Sequence, residues 1–313
     1  MVSILVRKSK IAGNIRCPSS KSYSHRAIAI ASLAESKSTI SNALLARDTL
    51  ATLAGCRALG ADIKHEGTTV QVKGLHSFEP PENVINAENS GTTIRIMTAM
   101  SGLVKTGYAV LTGDESLRKR PMQPILDALG QLGVEAYSTK GNGTPPLVVR
   151  GGGIRGGTTV VDGSVSSQFI SGLLIAGIYA DSEIIMRIKG NLVSKPYVSA
   201  TLATMKQFGV TIDHSSDMLE YEIKNAEYRG AKFDVPSDFS TAALIMAAGA
   251  LVGDKLKIKG LNFSLPQADS QIVDILKQMG CTIKVDKKKG EVVVEGAEEL
   301  DGGDFNLGDM PDL

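Results

Sequence analysis

A repeat of roughly seventy residues is the feature that most constrains the fold of this chain. Each copy begins with a polar turn, continues into a helix rich in Ala, Ile, Leu, Met and Gly, and then has a second, amphipathic helix that ends at a glycine. The turns occupy residues 18–21, 88–91, 165–168 and 236–239. The terminal glycines, at positions 60, 133, 209 and 280, are 73, 76 and 71 residues apart. This pattern predicts a compact α/β (α+β) protein built from βαβαββ units rather than a solenoid.

The two helices of each unit have different patterns. Stretches such as RAIAIASLA and TAALIMAAGAL are apolar on almost every side, so the first helix of each copy is predicted to be buried. The glycine after the second helix is a common C-cap. Alternating stretches such as TTVQVKG and GEVVVEG predict a closing hairpin.

The two ends of the chain predict a discontinuous domain. Residues 2–17 have the pattern of a strand pair without helices, and we expect this pair to complete a unit from the far end of the sequence. One domain then comprises residues 1–20 and 234–313, and the other comprises residues 21–233. One further period after Pro236 ends near residue 310, so four full units are expected and a fifth has just begun at Leu313. We therefore expect a C-terminal portion to be absent.

Composition argues against several classes of function. The chain has 34 basic and 33 acidic residues and only 4% aromatic residues, so it lacks the global charge and the stacking side chains that nucleic acids need. Cys17, Cys56 and Cys281 lie far apart, which argues against a zinc site and a disulfide scaffold. His25 has no metal-ligand partner at helical spacing and is expected to be a surface or packing residue. No stretch is long enough for a membrane span. We expect a cytoplasmic protein without nucleic-acid or membrane partners.

Hydroxyl-bearing and cationic residues gather at the predicted helix starts. Lys21, Ser22 and Arg26 stand in the first turns of the first helix, where free N–H groups and the helix dipole favour phosphate. The comparable clusters are Asn89, Ser90, Gly91 and Arg95; Arg118, Lys119 and Arg120; Ser166, Ser167 and Gln168; and Ser194, Lys195 and Tyr197. A serine cap explains any one such turn equally well, and Asp238 at the fourth start is expected only to cap. Their recurrence predicts helix N-termini that converge on one polyanionic small molecule.

These motifs resemble the 5-enolpyruvylshikimate-3-phosphate (EPSP) synthase family, also called 3-phosphoshikimate 1-carboxyvinyltransferase. PSSKSYSHRA is similar to the KSxSxR signature of that family, NSGTTIR to its phosphoenolpyruvate loop and LRKRPM to its RxRPM element. DGSVSSQF and LVSKPY are similar to its shikimate-phosphate turns. The resemblance covers the whole chain in the right order. It implies an enolpyruvyl transferase fold of two domains, each with three βαβαββ units and buried parallel helices.

The resemblance also implies an activity. The enolpyruvyl group of phosphoenolpyruvate would be transferred to the 5-hydroxyl of shikimate 3-phosphate, with release of phosphate, in the shikimate pathway to chorismate and the aromatic amino acids. No metal or redox cofactor is implied. A monomer is expected, because one chain would supply both domains.

Roles for individual residues follow from the resemblance alone. Asp312 would act as the base, and Lys21 is one candidate for the acid. The residues that would bind shikimate 3-phosphate are Lys21, Ser22, Arg26, Ser166, Ser167, Gln168, Ser194, Tyr197 and Asp312. Those that would bind phosphoenolpyruvate are Lys21, Gly91, Arg120 and Gln168.

Two alternatives stay open at this point. The related UDP-N-acetylglucosamine enolpyruvyl transferase shares the fold and the donor, but it commonly carries a cysteine in the loop that corresponds to residues 113–124, where this sequence has none. The other alternative is a non-catalytic fragment that binds shikimate 3-phosphate, because the sequence stops at Leu313.

Overall fold

The computed structural model describes residues 4, 5 and 10–313. Within those residues the chain forms eight α-helices and sixteen β-strands. The helices are α1 Lys21–Ala31, α2 Arg47–Ala58, α3 Gly91–Ser101, α4 Gln123–Gln131, α5 Ser167–Gly177, α6 Lys195–Gln207, α7 Phe239–Val252 and α8 Ile272–Gln278. The strands are β1 Ile11–Arg16, β2 Ser38–Ser41, β3 Asp62–Glu66, β4 Thr69–Lys73, β5 Ile85–Asn86, β6 Tyr108–Thr112, β7 Ala136–Ser138, β8 Leu147–Arg150, β9 Gly157–Asp162, β10 Ile184–Lys189, β11 Asp213–His214, β12 Glu220–Ile223, β13 Lys232–Asp234, β14 Gly253–Lys259, β15 Thr282–Asp286 and β16 Glu291–Glu295.

The strands form four sheets with one common plan. The orders are β13-β2-β4-β3, β5-β6-β8-β7, β9-β10-β12-β11 and β1-β14-β16-β15. In each sheet the first two strands pair in parallel and the last two form an antiparallel hairpin. The predicted βαβαββ unit and its closing hairpin are therefore confirmed.

Two of the four sheets take their first strand from a distant part of the chain. Strand β1 precedes α1 but pairs in parallel with β14, with Ile15 opposite Ile258. Strand β13 precedes α7 but pairs in parallel with β2, with Phe233 opposite Ile40. The predicted pairing of the N-terminal stretch with the far end is confirmed for β1. The other arm of the predicted N-terminal hairpin falls largely on residues outside those that the structure describes.

The described chain divides into two compact units. One contains β1 and residues 236–313, and the other contains residues 20–235. The smaller unit holds the sheet β1-β14-β16-β15, and the larger unit holds the other three sheets. Among the described residues, no helix combines the length and the apolar character needed to cross a membrane.

The helix ends follow from local sequence. Helices α1, α3, α5 and α7 begin at the four predicted polar turns, and the side chains of Ser20, Ser90, Ser166 and Asp238 accept hydrogen bonds from backbone N–H groups in their first turns. Helices α2, α4, α6 and α8 each end two residues before a glycine, with a single C-cap residue between them. The glycines have φ values of 105°, 83°, 88° and 91°. These values lie in the left-handed region that favours glycine.

Close helix packing buries the apolar helices of the larger unit. In α1 every residue from Tyr23 to Ala31 is buried, and α3 and α5 are buried over most of their length. Gly172 of α5 lies so close to α3 that a Cβ there would be 2.9 Å from the carbonyl oxygen of Arg95 and 3.4 Å from the Cβ of Ala99. The small residues of these helices therefore allow their backbones to approach.

Helix α7 is an exception to the predicted burial. Leu244 is 72% exposed and Leu251 is 68% exposed, whereas Met246 and Ala250 are fully buried. Helix α7 packs one face on the strands of its own sheet and against α8, and the described residues of its unit supply no second apolar helix for the other face. The prediction of burial on all sides was wrong for α7, because an apolar composition does not determine how many faces a fold covers.

Met246→Ala is expected to lower the free energy of unfolding by about 2–5 kcal/mol, because it creates a cavity at a fully buried site. Leu244→Ala on the same helix is the matched control and is expected to change it by less than about 0.5 kcal/mol. Urea denaturation followed by circular dichroism measures both. Equal losses at the two positions would show that the exposed face of α7 is covered in solution.

Candidate functional site

The first turn of α1 presents a lysine and a serine to solvent. Ser20 caps the helix by accepting a hydrogen bond from the Tyr23 N–H at 3.4 Å. The ammonium group of Lys21 lies 3.7 Å from the carboxylate of Asp48 in α2, with 54% of the Lys21 side chain exposed. Ser22 is partly exposed. The helix start therefore combines free N–H groups with an accessible cation, which is the arrangement that binds phosphate.

One turn further along, Arg26 is almost completely buried, with 2% of its surface exposed. Its Nε donates to Thr201 Oγ1 at 2.7 Å, Nη1 donates to the Ser22 carbonyl at 3.0 Å, and Nη2 donates to the Tyr197 carbonyl at 2.9 Å. A longer contact of 3.4 Å joins Nη2 to Ser171 Oγ. Burial lowers the pKa of Arg26 to about 10, so the group stays protonated at neutral pH. These contacts tie α1 to α5 and α6.

Two guanidinium groups lie beside the first residue of α3. A Cβ on Gly91 would be 2.7 Å from Nη1 of Arg120 and 3.0 Å from Nη1 of Arg95. A methyl group here would displace the ends of both side chains, so glycine allows both cations to approach the backbone closely. Ser90 caps the helix by accepting from the Thr93 N–H at 3.1 Å. Two positive side chains and the positive end of a helix dipole thus occupy one small region.

Arg95 joins this region to the start of α5. Its Nη1 donates to Oε1 of Gln168 at 2.8 Å, and its guanidinium lies 5.1 Å from the ring centre of Phe169. Among the described residues, its buried Nε has no hydrogen-bond partner. Burial, followed by repulsion from Arg120, lowers the pKa of Arg95 to about 10. The arginine remains charged at neutral pH, and an anion would relieve both the repulsion and the unpaired donor.

The loop between β6 and α4 holds Arg120 in place. Asp114 accepts from the Leu117 N–H at 2.9 Å and from Asn89 Nδ2 at 2.8 Å, and the side-chain oxygen of Asn89 in turn accepts from Arg120 at 3.4 Å. The N–H of Leu117, followed by Asn89, lowers the pKa of the Asp114 carboxyl.

The other two cations of the loop do not lie at this helix start. Arg118 donates to the Gly113 carbonyl at 2.7 Å, and Lys119 forms an exposed ion pair with Glu115 at 2.8 Å. Helix α4 begins at Gln123, with Pro124 in its first turn. Only Arg120 of the three cations approaches Gly91.

Helices α5 and α6 contribute hydroxyl groups. Ser166 caps α5 by accepting from the Gln168 N–H at 3.3 Å, and Ser167 is buried. Ser194 precedes α6 with φ 54°, and its side chain makes no capping hydrogen bond. The ring of Tyr197, in the first turn of α6, lies 5.9 Å from the Arg26 guanidinium. A non-glycine residue in the left-handed region is strained, which is typical of binding loops.

A chain of buried polar groups connects α1, α2 and the cap of α3. His25 Nδ1 lies 2.7 Å from Thr52 Oγ1, Thr52 Oγ1 lies 2.7 Å from Thr93 Oγ1, and Thr93 donates to Ser90 Oγ at 2.7 Å. Burial, followed by the charges of Arg26 and Lys21, lowers the pKa of His25 to about 3. His25 is therefore a neutral packing residue at physiological pH.

Asp312 belongs to the smaller unit. It is exposed, and one of its carboxylate oxygens lies 3.3 Å from the hydroxyl of Ser240 on α7. As predicted, Asp238 caps α7 by accepting from the Thr241 N–H at 2.9 Å. Among the described residues there is no group of three or more His, Cys, Asp or Glu side chains that could hold a metal ion.

The structure thus forms two groups from the predicted residues of the larger unit. In the first group, Arg26 of α1 contacts Tyr197 of α6 directly. In the second, Arg95 joins Gln168 to Gly91 and Arg120. Asp48, which pairs with Lys21, was not predicted, and Arg95 was named in a cluster without an assigned role. Sequence spacing identifies Arg95 as one turn into α3, but it gives no indication that its partner is 73 residues away.

Repeated βαβαββ units, with cations at the starts of α1 and α3, define an α/β protein with candidate sites for small anions. The chain matches the family described as EPSP synthase (3-phosphoshikimate 1-carboxyvinyltransferase) over residues 6–313. It is 46% identical over 308 residues to the 3-phosphoshikimate 1-carboxyvinyltransferase of Nitrosopumilus maritimus, covering 98% of this chain and 72% of the relative. The corresponding protein of Methanothermobacter thermautotrophicus is 44% identical, with coverage of 100% and 73%.

Solved structures agree with this match. An EPSP synthase from Acinetobacter baumannii superposes with a TM-score of 0.78 at 28% identity, covering 93% of this chain. The present chain spans 66% of the length of that structure. A second structure of EPSP synthase from the same organism gives a TM-score of 0.81 at 27% identity, with coverage of 96% and 69%.

The chain belongs to the EPSP synthase family. This result confirms the family and fold that the sequence motifs predicted. It also confirms the assignment of the chain to the transferases of the shikimate pathway.

The buried His25 leads to a prediction about acid sensitivity. Its pKa of about 3 in the folded chain lies below the ordinary value of 6.5, so between those values the unfolded chain binds more protons. Stability should therefore fall as the pH is lowered from 6.5 toward 3. His25→Asn removes the titrating ring and is expected to flatten this part of the pH–stability curve.

Urea unfolding at a series of pH values measures the slope. His214→Asn replaces an exposed histidine and is the matched control, expected to leave the slope unchanged. Equal slopes for the wild-type chain and His25→Asn would contradict the neutral, buried state of His25.

Proposed function

We propose that this chain binds shikimate 3-phosphate and phosphoenolpyruvate and transfers the enolpyruvyl group to the 5-hydroxyl of the shikimate ester. The observation that carries the proposal is the pair of guanidinium groups, Arg95 and Arg120, beside Gly91 at the start of α3. Two like charges next to the positive end of a helix repel one another, and an anion between them offsets that repulsion. Membership of the EPSP synthase family supports phosphoenolpyruvate as that anion.

The reaction explains the need for so many cations. Each substrate carries a phosphate and a carboxylate. The 5-hydroxyl loses its proton and attacks C2 of phosphoenolpyruvate while the methylene carbon is protonated to a methyl group. Phosphate then leaves from the tetrahedral intermediate as the methyl group gives up a proton, which restores the double bond. Cations and helix N-termini that are already in place stabilise the charge without reorganisation.

The phosphoenolpyruvate side is proposed to consist of Lys21, Gly91, Arg120 and Gln168. Arg120 supplies charge-assisted hydrogen bonds, and Gly91 leaves room for them. Gln168 accepts from Arg95 through Oε1, which directs its amide N–H groups away from Arg95 and makes them available as donors.

The shikimate 3-phosphate side is proposed to consist of Lys21, Ser22, Arg26, Ser166, Ser167, Gln168, Ser194, Tyr197 and Asp312. Lys21 and Ser22 are accessible at the start of α1. Arg26 is largely engaged by protein acceptors, so its main contribution is to hold α1, α5 and α6 together and to add positive potential. The hydroxyl of Ser194 is not used as a cap and can bind ligand.

Proton transfer is assigned to two residues. Asp312 accepts the proton of the attacking hydroxyl, and Lys21 stabilises the phosphates and is the candidate acid in this chain. We further propose that residues 1–20 with 234–313 and residues 21–233 are the two domains, that the protein is a cytoplasmic monomer, and that the reaction needs no cofactor.

Lys21→Ala is expected to weaken binding of shikimate 3-phosphate by about tenfold or more, because a hydrogen bond to a charged group contributes about 1.5–3 kcal/mol. Lys37→Ala removes an exposed lysine of the same unit and should leave the affinity unchanged. Calorimetric titration measures both, with UDP-N-acetylglucosamine as the control ligand.

Saturable binding of the shikimate ester alone supports the proposed substrate. Binding of UDP-N-acetylglucosamine instead, or of neither compound to a folded chain, would contradict it. An affinity equal to wild type in Lys21→Ala would remove that residue from the site.

Gly91→Ala is expected to reduce phosphoenolpyruvate affinity by about tenfold, because the new methyl group displaces the guanidinium groups of Arg95 and Arg120. Phosphoenolpyruvate and shikimate 3-phosphate are titrated separately into the chain, and the affinity for shikimate 3-phosphate should not change. Gly130→Ala in α4 is the control, since a Cβ there meets no atom within 4 Å. Equal phosphoenolpyruvate affinities in the two variants would contradict the assignment of Gly91.

A further inference from the structure

A buried aspartate lies next to the proposed base in the smaller unit. Asp269, in the 3-10 turn before α8, is 1% exposed. The hydroxyl of Ser240 on α7 donates to one of its carboxylate oxygens and also lies 3.3 Å from a carboxylate oxygen of Asp312. A single hydroxyl group therefore lies between a buried carboxyl and an exposed one.

The position of Asp269 is fixed by its neighbours. Gln267, two residues earlier, accepts from the Phe239 N–H at 3.1 Å and donates to the Ser237 carbonyl at 3.1 Å. The turn that carries Asp269 is thus bound to the start of α7 at two points.

The protonation of Asp269 depends on its burial and on its neighbours Ser240 and Asp312. Burial, followed by repulsion from Asp312 and Asp238, raises the pKa of Asp269, and the Ser240 hydroxyl opposes this effect. Helix α7 has no ionisable side chain, and Asp274 and Lys277 of α8 are exposed. Ser240 has one hydroxyl proton for two carboxylates. When Asp269 is protonated, it can donate to Ser240, which is then free to donate to Asp312.

We propose that Asp269 is a positioning residue that holds and orients the Asp312 carboxylate through the hydroxyl of Ser240. This inference rests on the proposed function, in which Asp312 accepts the proton of the substrate hydroxyl. Asp269 itself is buried and does not touch substrate. Its role is to keep an exposed carboxylate in one orientation, which an exposed side chain does not maintain without partners.

The first test measures the coupling itself and requires no turnover. Carbon-13 NMR of labelled aspartate carboxyl groups gives the pKa of Asp269, whose signal is assigned from its loss in Asp269→Asn. Asp312→Asn removes a like charge and should lower the pKa of Asp269 by about 0.5 or more, whereas Ser240→Ala removes a hydrogen bond to the carboxylate and should raise it. Asp274→Asn is the matched control and should have no effect. An Asp269 titration that is the same in Asp312→Asn and in the wild-type chain would overturn the proposal.

The second test separates orientation from binding. In steady-state kinetics, Asp269→Asn and Ser240→Ala should each lower kcat by about tenfold or more while leaving the KM for shikimate 3-phosphate nearly unchanged. The double variant should be little worse than either single variant, because both act through one contact. Asp274→Asn should behave like wild type.

The Asp312→Asn variant distinguishes the proposed role of Asp312 as the base from the inference about Asp269. If it keeps wild-type kcat, the proposed role of Asp312 fails whatever Asp269 does. If it loses activity while Asp269→Asn keeps it, the inference about Asp269 fails and the proposed function stands. A folded Asp269→Asn that loses affinity for shikimate 3-phosphate as much as kcat would also overturn the positioning role.

Discussion

The buried guanidinium of Arg26 is the interaction on which the larger unit depends. A charged group with almost no access to water is stable only when its donors are paired, and the donors of Arg26 are paired with Ser22, Ser171, Tyr197 and Thr201. Those acceptors belong to α1, α5 and α6. Because moving any of these helices would leave a buried charge unpaired, their starts are held in one arrangement. Lys21 and Ser22 are thereby presented from a rigid base.

A second constraint acts at the start of α3. Gly91 admits Arg95 and Arg120, and Gly172 allows α5 to approach the α3 backbone closely enough for Gln168 to bond with Arg95. The cost of placing two cations together is met in part by Phe169 and Asn89. The guanidinium groups of Arg95 and Arg120 therefore repel each other before any anion binds. An anion gains more from binding there than it would at a solvated pair of arginines.

The smaller unit gathers acidic side chains, whereas the larger unit gathers basic ones. Its polar cluster around the start of α7 contains three aspartates, Asp238, Asp269 and Asp312, with Ser240 among them. Carboxylates in mutual repulsion favour proton binding, whereas clustered arginines favour anion binding. A transferase that joins two anions through a proton-coupled step needs both kinds of environment. In this chain they belong to different units, each with its own core.

Periodic features of the sequence determined much of this protein. The glycines at 60, 133, 209 and 280, the serine caps and the alternating hairpins are local patterns, so the βαβαββ unit and the helix boundaries followed from them. The family followed from the resemblance of motifs such as PSSKSYSHRA and NSGTTIR. Tertiary structure alone decided that β13 pairs with β2, that α7 leaves Leu244 exposed, and that Arg26 is buried. It also decided that Arg26 meets Thr201, 175 residues away, and that the hydroxyl of Ser240 lies between Asp269 and Asp312. Local patterns encode backbone preferences and buried faces, but the partners of buried polar groups depend on which distant helix starts the fold brings together.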